Sequence, residues 1–207
     1  METKSELPHT GASKRMEALT DGIFAIAATL LVLEIRVPKL EIESSSAMIH
    51  ALYPILPSFI AFVFSFLNIL IFWINHDSIG KVLLRFDAKL TYLNILFLLF
   101  ITLIPFTTAF VSEYPFEFIA ITVYGLVLLI TASIATIMYY HIAFKSKLMH
   151  EKISKKSRQK IWKRVVLGPI FFATAILLGR INIFIPIIIY ILVPLFFLIM
   201  PKIEFED

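Results

Sequence analysis

No cysteine occurs among the 207 residues. Disulfides, thiolate metal sites, iron–sulfur clusters and cysteine nucleophiles are therefore excluded. Charge is scarce too: Asp, Glu, Lys and Arg make up 16% of the chain, against 59% hydrophobic residues and a mean hydropathy of +0.88. A water-soluble domain needs only about half its residues apolar. Also missing are a glycine-rich phosphate loop, a His-Glu zinc motif and a G-x-S-x-G elbow. The five histidines (His9, His50, His76, His141 and His150) are scattered, and none has a second His or a carboxylate four residues on. His76 and Asp77 are chain neighbours, so on a helix their side chains diverge by about 100°. No enzyme, resident cofactor, metal site or nucleic-acid partner is expected. Met1–Lys14 is polar and the first apolar run carries Glu17 and Asp21 at its entrance, so no cleavable leader is expected either.

What is present is a succession of long uncharged apolar runs, for which a bilayer is the natural solvent. Six runs can be read: about 18–37, 46–75, 90–111, 116–144, 165–178 and 181–200, with a basic linker at 145–164. The second is longer than a bilayer needs, which predicts a tilt or an interfacial first turn at Pro54 and Pro57. Backbone in lipid must satisfy its own hydrogen bonds, so the runs are helices, and the alternation of a transmembrane barrel is absent. The expected fold is an all-α membrane protein, a single six-span domain over 1–207.

Lys and Arg placement gives the orientation. With the N-terminus inside, Lys4, Lys14, Arg15, Lys81, Arg85, Lys89, Lys202 and nine residues of the 145–164 linker fall on the cytoplasmic side. Only Arg36, Lys39 and Arg180 fall outside. Both termini are expected in the cytoplasm, and the chain in a cell membrane, a bacterial or archaeal inner membrane. The linker is expected as a helical or interfacial connection that touches lipid headgroups. Glu34, Glu41, Glu43, Glu113 and Glu117 make the outer side mildly acidic, a distribution that concentrates cations.

One string must be set aside. Thr122-Val123-Tyr124-Gly125-Leu126 has the composition of a potassium-channel filter, but the order of Tyr and Gly is wrong and it sits inside an apolar helical run. A filter of backbone carbonyls needs an extended, water-lined loop.

The first run is the informative one. Gly22, Ile26, Thr29, Leu30 and Leu33 fall on one stripe at helical spacing, while Asp21 lies about 140° round the helix from Ile26. An aspartate near the membrane boundary needs a partner, and Arg15 is six residues away, out of register for an i, i+4 pair. Partners must come from other helices. The end of the second run offers Trp73, Asn75, His76 and Asp77, and the start of the third offers Arg85, Asp87 and Lys89. A polar clamp of Arg15, Thr20, Asp21, Trp73 and His76, joining the first three spans, is the expectation.

At these residues the chain resembles the endosomal/lysosomal transmembrane potassium channel family, as a prokaryotic member. The family signature R-x-x-x-F-S-D reads here Arg15-x-x-x-Leu19-Thr20-Asp21, with the Phe and Ser replaced. Trp73-Ile74-Asn75-His76 matches a Trp-x-x-His ending of the second span, and Pro105-Phe106-Thr107-Thr108-Ala109 resembles the end of the third. The resemblance implies a homotetramer with a central pore lined by the first span. Carried onto this chain, the constriction comprises Ile26, Leu30 and Leu33, with Thr29 a polar position beside it. It further implies passive, leak-like permeation of potassium through a hydrophobic ring rather than a carbonyl filter. The competing reading is a proton- or cation-coupled secondary transporter titrating at Asp21 or His76. Against it, no paired Gly/Pro-broken helices recur in corresponding halves.

Overall fold

The computed structural model describes residues 11–38, 44–150 and 153–199. Lys4, His9, Lys39, Glu41, Glu43, Lys152 and Lys202 lie outside the described residues. Among the described residues seven α-helices follow one another: α1 Gly11–Leu30, α2 Ser45–Leu52, α3 Leu56–Gly80, α4 Ala88–Glu113, α5 Phe118–Tyr140, α6 Lys155–Leu178 and α7 Phe184–Ile199. α1 tightens into a 3-10 turn over Leu31–Glu34, and α5 widens into a π turn over His141–Lys145. Among the described residues five stretches are long and apolar enough to cross a bilayer: Lys14–Glu34, Ser45–Gly80, Ala88–Glu113, Phe118–Lys145 and Lys155–Leu178. α7 is equally apolar but shorter, at 16 residues. The chain is an all-helical, multi-pass membrane protein.

The helix boundaries have local causes. The Asp87 carboxylate accepts the Leu90 N–H at 2.7 Å and opens α4, while the hydroxyl oxygens of Ser44 and Ser154 cap α2 and α6 at 3.1 Å each. Pro54, inside the turn Tyr53–Ile55, and Pro57, in the first turn of α3, divide the long second run into a short α2 with no buried residue and a long α3. α6 begins at Lys155, ten residues ahead of the apolar run that starts at Val165, so the second half of the basic stretch 145–164 is helical, one of the two forms expected for it, and is continuous with the membrane-spanning helix. The reason is amphipathicity. Ser157 and Ile161 are buried while Lys155, Lys156, Lys160 and Lys163 are exposed, and the lysines dilute the apolar signal without breaking the helix.

α4 and α5 form the centre of the bundle, where Phe97, Ile101, Ile104, Leu128 and Tyr139 are all fully enclosed. α1 packs on α4 and α3; α5 packs on α4 and α6; α7 packs on α6 and returns to α3. Between helices in lipid the drive is close packing and polar bonding, not removal of apolar surface from water. The small residues are placed accordingly: the Gly168 backbone meets Ala132 and Gly125 accommodates Tyr190.

At the basic end the loops are stitched together. Leu84 N–H donates to Leu148 C=O at 2.8 Å and His150 N–H to Val82 C=O at 3.1 Å. The Arg158 guanidinium fans onto the carbonyls of Ala143, His150 and Ile153. His141 Nε2 lies 2.8 Å from the Asp87 carboxylate, tying the start of α4 to the end of α5. Partial burial pushes the Asp87 carboxyl up, but the Leu90 N–H, then the His141 side chain, outweigh it and hold the group below its ordinary value of 3.8. A depressed folded value means that this stabilisation is fully present above 3.8 and is lost as the pH falls through the folded value. Asp87→Asn keeps a capping oxygen but no charge. Thermal unfolding measured across acidic pH is expected to show a shallower acid-induced drop for this variant than for wild type.

Candidate pore-lining helix and its polar anchor

α1 has two unlike faces. Thr20, Phe24, Ala27, Ala28 and Leu31 recur at helical spacing and are buried against α3 and α4, Leu31 completely. The opposite face carries Ile26 (59% exposed), Leu30 (43%) and Leu33 (69%), with Gly22 and Thr29 between them, also exposed. A Cβ added at Gly22 meets nothing within 4 Å. Thr29 turns its hydroxyl hydrogen inward, towards the carbonyls of Ala25 (2.9 Å) and Ile26 (3.0 Å). Its oxygen retains lone pairs and can accept a further bond. Beyond Leu30 the 3-10 turn brings Leu30 and Leu33, three residues apart, into line.

The buried face is fastened by two sets of polar bonds. Trp73 Nε1–H donates to the Asp21 carboxylate at 2.9 Å, joining α3 to α1. One turn away, Asn94 Nδ2–H donates to Thr20 Oγ1 at 3.0 Å while Asn94 Oδ1 lies 2.8 Å from His76 Nε2, so that α4 holds both α1 and α3. With the amide oriented this way, His76 donates. Its ring stacks on Phe97 at 5.7 Å and touches Phe24 at 6.4 Å. Thr20 and Asn94 are sealed from solvent, whereas Asp21 and Trp73 are partly open.

Four of the five expected clamp residues, Thr20, Asp21, Trp73 and His76, thus meet at one place. Arg15 stands exposed on α1 and makes no ion pair or hydrogen bond among the described residues. Asp77 pairs with Lys81 at 2.6 Å and Asp87 with His141, so neither serves α1. Sequence reasoning missed Asn94. The available signal was an amide in the middle of an apolar run, a position that demands a partner in lipid. The string Thr122–Leu126 lies within α5, where Tyr124 bonds Ser65 Oγ at 3.0 Å and Ser65 accepts from Thr108 at 2.8 Å.

An all-helical membrane bundle whose first helix is fastened on one side leaves the other, apolar side of that helix free for lipid or for a further subunit. The family model described as endosomal/lysosomal potassium channel TMEM175 matches residues 15–105. A potassium channel of Chamaesiphon minutus is 33% identical over 195 residues, 93% of this chain and 96% of that protein. One of Streptomyces collinus is 36% identical over 160 residues, 75% and 77% of the two chains. The crystal structure of a lysosomal potassium-selective channel TMEM175 homolog from Chamaesiphon minutus superposes with a TM-score of 0.81 at 31% identity, covering 91% of this chain and 97% of that one. The chain belongs to the TMEM175 family.

Proposed function

We propose that this chain is one of four identical subunits of a potassium-permeable, leak-like cation channel in a prokaryotic inner membrane. Both termini lie in the cytoplasm, and no cofactor is needed beyond the permeant ion. α1 from each subunit lines the central pore. The observation that carries this reading is the apolar face of α1 left uncovered by its own subunit, which includes Ile26, Leu30 and Leu33.

Around a symmetry axis these side chains form successive rings. A ring of branched aliphatic side chains narrows the path and offers no ligand to replace hydration water, so an ion crosses only when the ring is wide enough to stay wet. The Thr29 oxygens, next to the rings, supply acceptors for a partly dehydrated cation. Glu34, directly beyond Leu33, shares a shallow outer depression with Arg36, Ser58 and Glu113 and adds negative charge at the mouth. The Thr20–Asn94–His76 and Asp21–Trp73 bonds hold α1 at a fixed rotation, so that the aliphatic face stays aimed at the axis.

Planar bilayers holding the purified protein, with potassium on one side and sodium on the other, test the proposal. Wild type is expected to give unitary cation currents, and Ile26→Asn to change conductance or the potassium-to-sodium ratio severalfold by wetting the constriction. Saturable flux indifferent to Ile26 would move the assignment to a coupled transporter.

A further inference from the structure

At the basic end of the bundle, away from the exposed face of α1, three rings on the α5–α6 seam form one cluster. Tyr140 and Trp162 lie 5.4 Å apart, Tyr140 and Phe144 5.7 Å, and Phe144 and Trp162 6.0 Å. Tyr140 and Phe144 are each about 40% exposed. Lys145 sits over the Tyr140 ring at 5.9 Å, and Lys163, the residue that follows Trp162 on α6, is exposed at the same end of the helix. From the cluster two exposed apolar stripes run into the membrane-spanning part: Ile137, Ile130 and Leu126 along α5, Ile170 and Leu177 along α6.

The charge around it is one-sided. From Phe118 to Ile199 the sequence contains a single carboxylate, Glu151, against nine Lys and Arg between 145 and 164. The stitched loops and the Arg158 fan hold this surface in one shape. We propose that the aromatic cluster Tyr140–Phe144–Trp162, with Lys145 and Lys163, is a binding site for one anionic phospholipid per subunit.

Along α5 the order of groups is that of the lipid: the Lys145 ammonium for the phosphate, aromatic rings at the level of the glycerol, aliphatic side chains for an acyl chain. The rings lie within segments that cross the membrane, so the occupant arrives from the bilayer rather than from water. The excess of Lys and Arg over carboxylates along this stretch, with Asp87 already bonded to His141, selects a head that is anionic overall. A choline head would set its own ammonium among the lysines. Membrane-facing aromatics and inner lysines recur as generic anchors; a site differs from an anchor in depending on these particular side chains.

Trp162 reports directly. Dibrominated phosphatidylglycerol or phosphatidylcholine is titrated into vesicles holding the full chain, and the quenching due to Trp162 is taken as the difference from Trp162→Phe. Half-quenching is expected at a mole fraction of phosphatidylglycerol up to about 25-fold lower than that of phosphatidylcholine. Lys145→Gln with Lys163→Gln, both exposed and compatible with folding, should erase that preference, at about fivefold per lysine. Arg85→Gln with Lys89→Gln removes equal charge from the same end without touching the rings, and should leave it intact. Equal quenching by the two lipids, equal loss in both double variants, or a preference that survives loss of Lys145 and Lys163 would each overturn the proposal.

Discussion

Asn94→Leu is expected to destabilise the subunit by about 2 kcal/mol and to loosen α1, because it strips partners from two other groups at once. Thr20 Oγ1 loses its donor and His76 Nε2 its acceptor. Thr20 is sealed from solvent, so no water takes the place of the amide there. A buried polar group left unsatisfied costs about 1–3 kcal/mol, whereas an ordinary hydrogen bond between membrane helices averages about 0.6 kcal/mol. The loss of Asn94 belongs to the first case, since Thr20 is sealed from solvent. Asp21→Ala belongs to the second. Asp21 is exposed and Trp73 37% exposed, so the indole N–H can find water when the carboxylate is removed. Thermal unfolding in detergent should rank Asn94→Leu well below Asp21→Ala, with oligomer size on gel filtration following the same order. The reverse order would place the anchor of α1 at the signature aspartate rather than at the buried amide.

That contrast shows what could be read from the chain and what could not. The stripe Ile26, Thr29, Leu30 and Leu33 was visible as a period of 3.6 in an uncharged run, and the structure leaves all four exposed on one side of α1. Periodicity could not say which stripe of an almost wholly apolar helix faces its own subunit. The buried set Thr20, Phe24, Ala27 and Leu31 repeats just as regularly. The polar meeting of α1 with α3 was foreseeable from Asp21, because a carboxylate near the membrane boundary must be answered by another helix. Asn94 was overlooked because amides lack the charge that draws attention, although in lipid they demand partners as well. The early start of α6 was hidden for a different reason. Hydropathy averages over both faces of a helix, and four exposed lysines outweighed Ser157 and Ile161 beneath them. The joining of residues 82–84 to 148–150 depends on two loops far apart in sequence, and nothing local announces it.

Gly125→Ala is expected to be among the most damaging single-methyl changes available in this chain. A Cβ there would lie 1.8 Å from the Tyr190 hydroxyl oxygen, 2.7 Å from the ring carbon bearing it, and 3.1 Å from Ile176 Cγ1. The tyrosine has nowhere to retreat. It is 5% exposed, edge-on to Tyr124 at 5.4 Å and tilted against Phe172 at 6.2 Å. Mid-helix alanine is normally favoured over glycine by about 1 kcal/mol, so the clash must first overcome that gain. Overpacking of a closed core costs about 1–3 kcal/mol, occasionally more, and a net loss near the upper end is expected because ring atoms as well as the hydroxyl are struck. Tyr190→Phe in the same chain removes the 1.8 Å contact but not the 2.7 Å one, so a double-mutant cycle should show partial rescue. Gly22→Ala is the matching control on α1, where an added Cβ meets nothing in its own subunit. It should leave the isolated subunit as stable as wild type or slightly more so. Any change it makes to conductance or oligomer size would then arise on the outward face of α1, between subunits, and not within the bundle.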